Sequence, residues 1–190
     1  MKLNGSQIIP ASRVTVWEGL NDAQALKQCI PGCETIEQLS ATEMKATVVA
    51  KVGPVRASFT GAVTLSDMVA PESYRISGQG QGGLAGFASG GATVKLTELG
   101  PQETQMDYDV DAQIGGKMAM LGSRLIDSTA RSLAEQFFRT FANLMQKRAA
   151  AKAAVKIAKV KKPVAKKKAA KAKKPKAPVV RKKAKVKKRK

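Results

Sequence analysis

The two cysteines, Cys29 and Cys33, are the side chains with the clearest capacity for metal or redox chemistry. They lie four residues apart, around Pro31 and Gly32. A zinc site needs four nitrogen, sulfur or oxygen ligands, usually cysteine and histidine, and the sequence contains no histidine and no third cysteine. We therefore expect two reduced, structural thiols in a cytosolic protein, with a transient redox pair as the alternative.

Because the sequence contains no histidine, it lacks the residue on which most nucleophilic catalysis depends. Ser-His-Asp and Cys-His mechanisms, His-ligated zinc and two-His iron sites are all ruled out. No pair of carboxylates, and no nucleophile beside a base, stands on the predicted inner face of the fold. A small hydrolase or cyclase would lack its acid, base and nucleophile. We expect no catalytic residue, no metal ligand and no enzymatic activity.

Three acidic residues, Asp107, Asp109 and Asp111, alternate along one predicted strand and so share its outer face. A divalent cation or a basic partner, including the basic C-terminal segment of this chain, is one possible occupant of such a ladder. Calcium loops, however, use turn geometry and backbone carbonyls, which a straight strand does not provide. The ladder is more typical of a solvated sheet face.

A glycine-rich segment matches the G-x-G-x-x-G pattern of dinucleotide-binding proteins at Gly78, Gly80 and Gly83, and Glu98 follows 20 residues after the first glycine. That fingerprint requires a helix that begins at the last glycine and binds the pyrophosphate. Further glycines and then a strand-like pattern follow here. The segment therefore predicts a hairpin connection, with a mobile loop at a pocket mouth as its functional alternative.

The periodicity of apolar residues gives the order of elements that must position these groups. Residues 2–9 indicate a short strand, and residues 11–20 and 22–30 indicate two short helices, the second capped by Asn21 or Asp22. From residue 34 to 114 apolar residues alternate with polar ones, as in 46–52 and 55–65. This alternation is typical of long antiparallel strands with one buried face.

From Lys117 the apolar period returns to that of a helix, in a stripe that runs to Leu144. A helix of thirty residues would be ~45 Å long. We predict an α+β fold in which a curved antiparallel sheet of about seven strands wraps round a long C-terminal helix, residues 117–147. Several small residues are expected to face inward and to leave a cavity between sheet and helix: Gly61, Ala62, Gly78, Gly80, Ala92 and Ala112.

The cavity is expected to hold an apolar ligand among aromatic and aliphatic side chains. For Trp17, Tyr74 and Tyr108 ordinary core packing is the alternative interpretation. The predicted lining residues are Trp17, Phe59, Tyr74, Phe87, Tyr108, Met118, Leu121 and Leu125.

Charge divides the chain into two parts. Residues 1–145 carry 12 Lys and Arg with all 14 acidic residues, whereas 146–190 carry the other 22 Lys and Arg. We predict a folded domain over 1–147 and a largely disordered basic tail over 148–190. The tail suits an anionic membrane surface or, through phosphate contacts without sequence preference, a nucleic acid; a solubilising extension is the third alternative. Its candidate contact residues are Lys152, Lys156, Lys159, Lys161, Lys162, Lys166, Lys167 and Lys168.

No apolar run approaches the 18 residues of a membrane span, and residues 1–6 resemble no secretory signal. We expect a cytoplasmic protein that does not cross a bilayer by itself.

Five collinear blocks of residues are distinctive. They are 5–10 (GSQxIP), 16–17 (VW), 26–34 (LxxCIPGCE), 53–61 (GPVxAxFxG) and 121–127 (LGxRLID), with Phe137 and Phe138 following. Together these blocks resemble the carbon monoxide dehydrogenase G-subunit family. The resemblance covers about residues 1–145 and implies the START-like, helix-grip fold of the SRPBCC superfamily.

The resemblance implies a non-catalytic accessory protein of a molybdenum hydroxylase. Such a protein would hold a quinone or a lipid in its cavity and bind no other cofactor. It would associate carbon monoxide dehydrogenase-like subunits with the inner face of the cell membrane. The basic tail is not part of the resemblance. A nucleic-acid-associated protein, tethered to DNA by this linker-histone-like tail, is therefore the alternative.

Overall fold

The computed structural model describes the backbone of residues 1–160 and the side chains of residues 1–154. These described residues form seven strands, three α-helices and two short 3₁₀ helices, and the strands and α-helices follow one another in the predicted order. The strands are β1 (Lys2–Ile9), β2 (Cys33–Gln38), β3 (Glu43–Val52), β4 (Val55–Val69), β5 (Ser73–Gln81), β6 (Phe87–Gly100) and β7 (Glu103–Gly115). The helices are α1 (Arg13–Leu20), α2 (Ala23–Cys29) and α3 (Ser123–Val160), and the 3₁₀ helices are Gly83–Ala85 and Gly116–Leu121.

All seven strands form one antiparallel sheet in the order β1-β7-β6-β5-β4-β3-β2. Hairpins join successive strands from β2 to β7, so their turns alternate between two ends of the sheet. The β3–β4 and β5–β6 turns and the chain after β7 lie at one end. The β2–β3, β4–β5 and β6–β7 turns lie at the other. The α+β helix-grip architecture predicted from the sequence is confirmed.

Local capping explains where the two short helices begin. The Ser12 hydroxyl accepts a hydrogen bond from the Thr15 amide at the start of α1, and the Asp22 carboxylate accepts one from the Gln24 amide at the start of α2. Asp22, one of the two predicted caps, is thus confirmed. Pro31 and Gly32 follow the end of α2, and Gly32 adopts a φ of 74° that suits glycine.

The long helix begins later than the sequence predicts. The expected start at Lys117 is wrong, because Gly116–Leu121 forms a 3₁₀ helix and α3 starts only at Ser123. Gly122, between them, has a φ of 86°, which interrupts an α-helix. Met118 and Leu121 fit the spacing of a helical stripe, which is why the pattern alone did not show the break.

The densest part of the core lies where α3 crosses α1 and the sheet. Phe141 and Met145 of α3 are completely buried, together with Val16 of α1 and Met106 of β7. Gly19 permits this close approach, since a Cβ there would overlap the Met145 side chain. The part of α3 around Phe141 and Met145 is therefore held by packing rather than by helix propensity alone.

Two ion pairs extend the compact unit beyond the predicted domain boundary at 147. The Arg148 guanidinium donates to the Asp22 carboxylate at 2.5 Å, and the Lys152 ammonium pairs with the Glu18 carboxylate. The compact unit accordingly runs from Met1 to Ala154. Residues 155–190 form a second unit, of which the structure describes only the helical backbone up to Val160.

Candidate functional site

Strand register brings small residues together on the inner face of the sheet. Pairing aligns the inward-facing positions of β3 to β7 into rows that cross the strands. One row is Ala46, Gly61, Gly80, Ala88 and Ile114, and the next is Met44, Val63, Gly78, Gly90 and Ala112. Both rows therefore consist mainly of glycine and alanine, which leave the space above the sheet unfilled.

An open, apolar cavity of about 350 Å³ lies over these rows. We call it the sheet groove; its lining residues all belong to strands β3 to β7. Larger apolar side chains border the small ones, among them Val48, Phe59, Ile76 and Val110. The volume is at the lower end of the roughly 300–1,000 Å³ of small-molecule sites, which are likewise mostly apolar.

The glycines of the groove floor differ in what surrounds them. A Cβ at Gly61 or Gly90 would collide with the backbone carbonyl oxygen of the neighbouring strand. At Gly80, in contrast, the nearest atom would be the Phe59 Cβ at 3.8 Å, an ordinary van der Waals contact. Gly80 thus marks open space within the groove, and a side chain added there would enter the space that a ligand needs.

One of the small residues predicted to face inward does not do so. Ala62 is exposed, whereas its neighbours Gly61 and Val63 are half-buried. Consecutive strand residues point to opposite faces, so Gly61 and Ala62 cannot both face the groove floor. All six predicted small residues are nevertheless among those that line the sheet groove: Gly61, Ala62, Gly78, Gly80, Ala92 and Ala112.

The eight aromatic and aliphatic residues predicted to line a cavity occupy several places. Phe59 lines the sheet groove. Tyr74 is buried in the core, and the half-buried Trp17 packs edge-on against it with ring centroids 5.4 Å apart. Tyr108 stacks on Phe138 of α3 at 4.7 Å. Trp17, Tyr74 and Tyr108 thus fill the space where helices pack against the sheet. The groove lies where the sheet has small residues instead.

The remaining four lie near the end of the sheet that holds the β3–β4 and β5–β6 turns. Phe87 is 40% exposed and packs its ring against Gly115. Met118 is buried in the second 3₁₀ helix, and Leu121 is half-buried. Leu125 of α3 lies against Gly53 in the β3–β4 turn. That all eight form one ligand cavity stays a prediction.

A second cavity, which the sequence did not suggest, lies between α3 and the edge of the sheet. It has a volume of about 460 Å³. Its lining is more polar than that of the groove and includes Lys51, Ser132 and Gln136. The nearby Ser128 and Thr129 hydroxyls both donate to the Leu125 carbonyl, so their hydrogen atoms are directed at the helix backbone. This crevice has no apolar floor comparable to that of the groove.

The two cysteines are free thiols at the end of α2 and the start of β2. Cys29 is buried, and its burial raises the pKa of the thiol despite the Arg148 charge. Burial also raises the pKa of the Cys33 thiol, which donates a hydrogen bond to the Thr35 carbonyl at 3.4 Å. A raised pKa lowers the thiolate fraction at neutral pH, which favours a structural role over a redox one.

The acidic ladder on β7 lies opposite basic residues. Asp107 is paired across the sheet with Lys95 of β6, and Asp111 with Lys2 of β1. The Gln105 side-chain amide also donates to both carboxylate oxygens of Asp107, at 2.9 and 3.1 Å. Within residues 1–154, no group of three or more acidic or cysteine side chains is arranged to hold a metal ion.

The glycine-rich segment forms a hairpin connection, as predicted. Gly78 and Gly80 lie in β5, the Gly83–Ala85 turn follows, and β6 begins at Phe87. A dinucleotide site would require a long α-helix that begins at Gly83, whereas here a 3₁₀ helix of three residues is followed by a strand, so the segment does not have the geometry of a pyrophosphate site.

Of the lysines predicted to contact a membrane or a nucleic acid, Lys152 lies on the compact unit, where it pairs with Glu18. The side chains of Lys156 and Lys159 lie outside the described residues, as do Lys161, Lys162, Lys166, Lys167 and Lys168 entirely. Within the part of the chain that the structure describes, no helix has both the length and the apolar character to cross a membrane.

Comparison with known families agrees with this geometry. The sequence profile described as the carbon monoxide dehydrogenase G-subunit (CoxG) matches residues 5–146, which include the whole sheet from β2 to β7 and most of β1. The chain belongs to the carbon monoxide dehydrogenase G-subunit family. The family resemblance predicted from the five sequence blocks is thereby confirmed. No match is found among the curated proteins.

Solved structures share the fold of this family member. A conserved protein from Geobacillus kaustophilus has 28% identity and a TM-score of 0.72, over 77% of this chain and 96% of that one. A START superfamily protein from Mycobacterium smegmatis has 14% identity and a TM-score of 0.60, over 77% and 97%. The Zhui aromatase/cyclase from Streptomyces sp. R1128 has 14% identity and a TM-score of 0.57, over 78% and 94%.

The START superfamily protein and the aromatase/cyclase are each 14% identical to this chain, so these likenesses concern the fold alone. Family membership and the apolar sheet groove are the observations that support a binding protein.

Proposed function

We propose that this protein binds an apolar ligand, a lipid or a quinone, in the sheet groove and serves as an accessory factor of a molybdenum hydroxylase. The single observation that carries the proposal is the apolar groove over in-register rows of glycine and alanine. A flat, weakly polar ring or an acyl chain suits such a floor, because it can lie against backbone where side chains are absent.

The family supplies the second part of the proposal. Its name refers to a component of carbon monoxide dehydrogenase, and we place the chain with such a hydroxylase on the inner, cytoplasmic face of the cell membrane. An apolar ligand would there exchange with the bilayer. The 22 basic residues of 146–190 provide the charge for binding an anionic surface, at about 1 kcal/mol for each residue that engages.

Filling the groove tests ligand binding. Gly80→Leu adds a side chain over the floor without a backbone clash, and leucine suits a strand better than glycine. We expect the purified variant to retain about one tenth or less of the apolar ligand held by the parent protein, since burial of a leucine-sized apolar group is worth about 1.5–3 kcal/mol. Bound ligand is measured by solvent extraction and mass spectrometry.

Gly100→Leu is the matched control. Gly100 also lies in a strand, and a Cβ there would meet only the Glu103 Cβ at 4.0 Å. It lies at the β6–β7 turn, away from the groove lining. Equal ligand content in the Gly80 variant, the Gly100 variant and the parent protein would contradict binding in the groove.

The basic tail favours a second candidate function, a nucleic-acid-associated protein. Residues 146–190 contain no acidic and no aromatic residue, which is typical of binding through phosphates without base stacking. Duplex DNA added to the full chain on anionic vesicles distinguishes the two functions. We expect most of the protein to remain on the vesicles; its release at a low ratio of DNA to protein would favour the nucleic-acid function.

A further inference from the structure

The two 3₁₀ helices form an exposed apolar tip at one end of the sheet. Gly83–Ala85 and Gly116–Leu121 are in contact, and a Cβ at Gly86 or Gly116 would overlap the backbone of the other segment. Leu84 is 86% exposed and Met120 is 84% exposed. The other exposed large apolar side chains of the described residues reach at most 58%. We call the segments 82–87 and 115–121 the tip.

The tip borders the sheet groove. Phe87 of the tip precedes Ala88, which lines the groove, and a Cβ at Gly82 would lie 2.6 Å from the ring of Phe59, another lining residue. The two most exposed apolar side chains of the domain therefore lie where the groove floor ends. Neither side chain contributes to the core, so folding does not explain why both are large and apolar.

The charge of the two sheet ends differs in sign. The segments at the tip end, 51–56, 82–87 and 115–127, carry Lys51, Arg56, Lys117 and Arg124 with the single acid Asp127. The turn segments at the opposite end, 39–43, 67–73 and 98–103, carry five acids and no base: Glu43, Asp67, Glu72, Glu98 and Glu103. Arg13 of α1 pairs with two of these acids, Glu72 and Glu98, so this end still has an excess of negative charge. The opposite end also exposes apolar side chains, including Leu39 and Leu99. Of the segments compared, only those at the tip end therefore combine exposed apolar side chains with basic residues.

We propose that the tip is a membrane contact of the folded domain: Leu84 and Met120 enter the boundary between headgroups and acyl chains of an anionic bilayer, and the surrounding cations bind the headgroups. The inference rests on the proposed function, because a membrane contact at the tip would place the end of the ligand groove against the bilayer. Two side chains that protrude from tight turns suit a fluid surface. A specific protein interface instead needs a well-packed patch of about 800 Å² on each partner.

Paired substitutions test the tip in the full chain. Leu84→Gln with Met120→Gln removes the apolar groups without changing the net charge, and Leu39→Gln with Leu99→Gln is the matched control at the acidic end. Both variants keep the same tail. Partitioning onto vesicles of phosphatidylcholine and phosphatidylglycerol is measured at about 0.5 M salt, where a Debye length of about 4 Å weakens the contribution of the tail. We expect the tip variant to lose at least about tenfold in partition coefficient and the control less than twofold.

A depth measurement locates the contact. Leu84→Trp and Leu99→Trp each add one tryptophan, and the fluorescence of Trp17 is the same background in both variants. Brominated acyl chains in the vesicles quench the fluorescence of a tryptophan that enters the bilayer. Quenching of the Leu84 variant alone is expected. Equal partitioning of the glutamine variants, or equal quenching of the tryptophan variants, would overturn the proposal. Unchanged partitioning together with lost binding to a dehydrogenase would overturn it in favour of a protein contact.

The groove variant separates this proposal from the proposed function. We expect Gly80→Leu to lose the ligand and to bind vesicles as the parent does. If Gly80→Leu keeps the ligand while the tip variant loses vesicle binding, the proposal of ligand binding in the groove is contradicted and the proposal of a membrane contact is supported. If it loses the ligand while the tip variant binds normally, the membrane contact fails and ligand binding stands.

Discussion

At the scale of single residues, Asp22 has two functions: it caps α2 and it links α2 to α3. Its carboxylate caps α2 through the Gln24 amide and accepts the Arg148 guanidinium. Burial alone would raise the pKa of Asp22, but the hydrogen bonds from Arg148 and from the backbone amides of Gln24 and Ala25 outweigh it and hold the pKa below the ordinary 3.8. The charged carboxylate of Asp22 therefore stabilises the fold more than the protonated carboxyl does.

Substitutions at Asp22 separate the two functions. Asp22→Asn keeps a good helix cap and removes the ion pair, so we expect a loss of about 0.5–1 kcal/mol in unfolding free energy at pH 7. Asp22→Ala also removes the cap and is expected to lose about 1–2 kcal/mol. Chemical denaturation measures both. Glu18→Gln, at the more exposed pair with Lys152, is the control and should cost less than Asp22→Asn.

The pH dependence has a defined sign. Because the pKa of Asp22 is lower in the folded than in the unfolded chain, its contribution is present above pH 3.8 and is lost as the pH falls through the folded value. The difference in unfolding free energy between parent and Asp22→Asn should thus shrink on acidification below pH 4. A difference that stays constant from pH 7 to pH 3 would show that the carboxylate charge is not involved.

At the scale of elements, hydrophobic periodicity predicts the strands and the order of the fold, because the inner face of the sheet keeps a period of two from β3 to β7. It misplaces the start of α3, because Met118 and Leu121 follow helical spacing through a 3₁₀ turn, and only the conformation of Gly122 shows the break. Long-range contacts along α3, such as the Arg148–Asp22 ion pair, are equally invisible in a local pattern.

The candidate site, too, is predicted from the sequence only in part. Small residues that border the groove can be recognised in the sequence, and all six predicted ones line it, although the exposed Ala62 lies on the opposite face of its strand from Gly61 and Val63. Their alignment into rows depends on strand register, which a single sequence does not determine. Large aromatic residues are poorer guides: Trp17 and Tyr74 pack together in the core, since bulky side chains close the space that a ligand would need. The tip could not be anticipated either, because Leu84 and Met120 are far apart in sequence.

At the scale of the whole molecule, the compact unit combines three features along one direction of the sheet. One end carries acidic turns, the middle carries the apolar groove, and the other end carries the apolar tip with cations in the neighbouring segments. Residues 1–145 are close to neutral in sum, so composition alone conceals this asymmetry. A family member that moves an apolar ligand between a bilayer and an enzyme would need such an orientation, and the proposed tip contact would supply it.

The central claim, that the sheet groove binds an apolar ligand, is tested most directly by photocross-linking. The full chain is irradiated with a photoactivatable quinone and with a photoactivatable fatty acid, and the modified residues are mapped by peptide mass spectrometry. We predict adducts on residues of β3 to β7 that line the groove, such as Phe59, Val63 and Ile76, and their loss in Gly80→Leu but not in Gly100→Leu. Adducts confined to other parts of the chain, or unchanged by Gly80→Leu, would contradict the account.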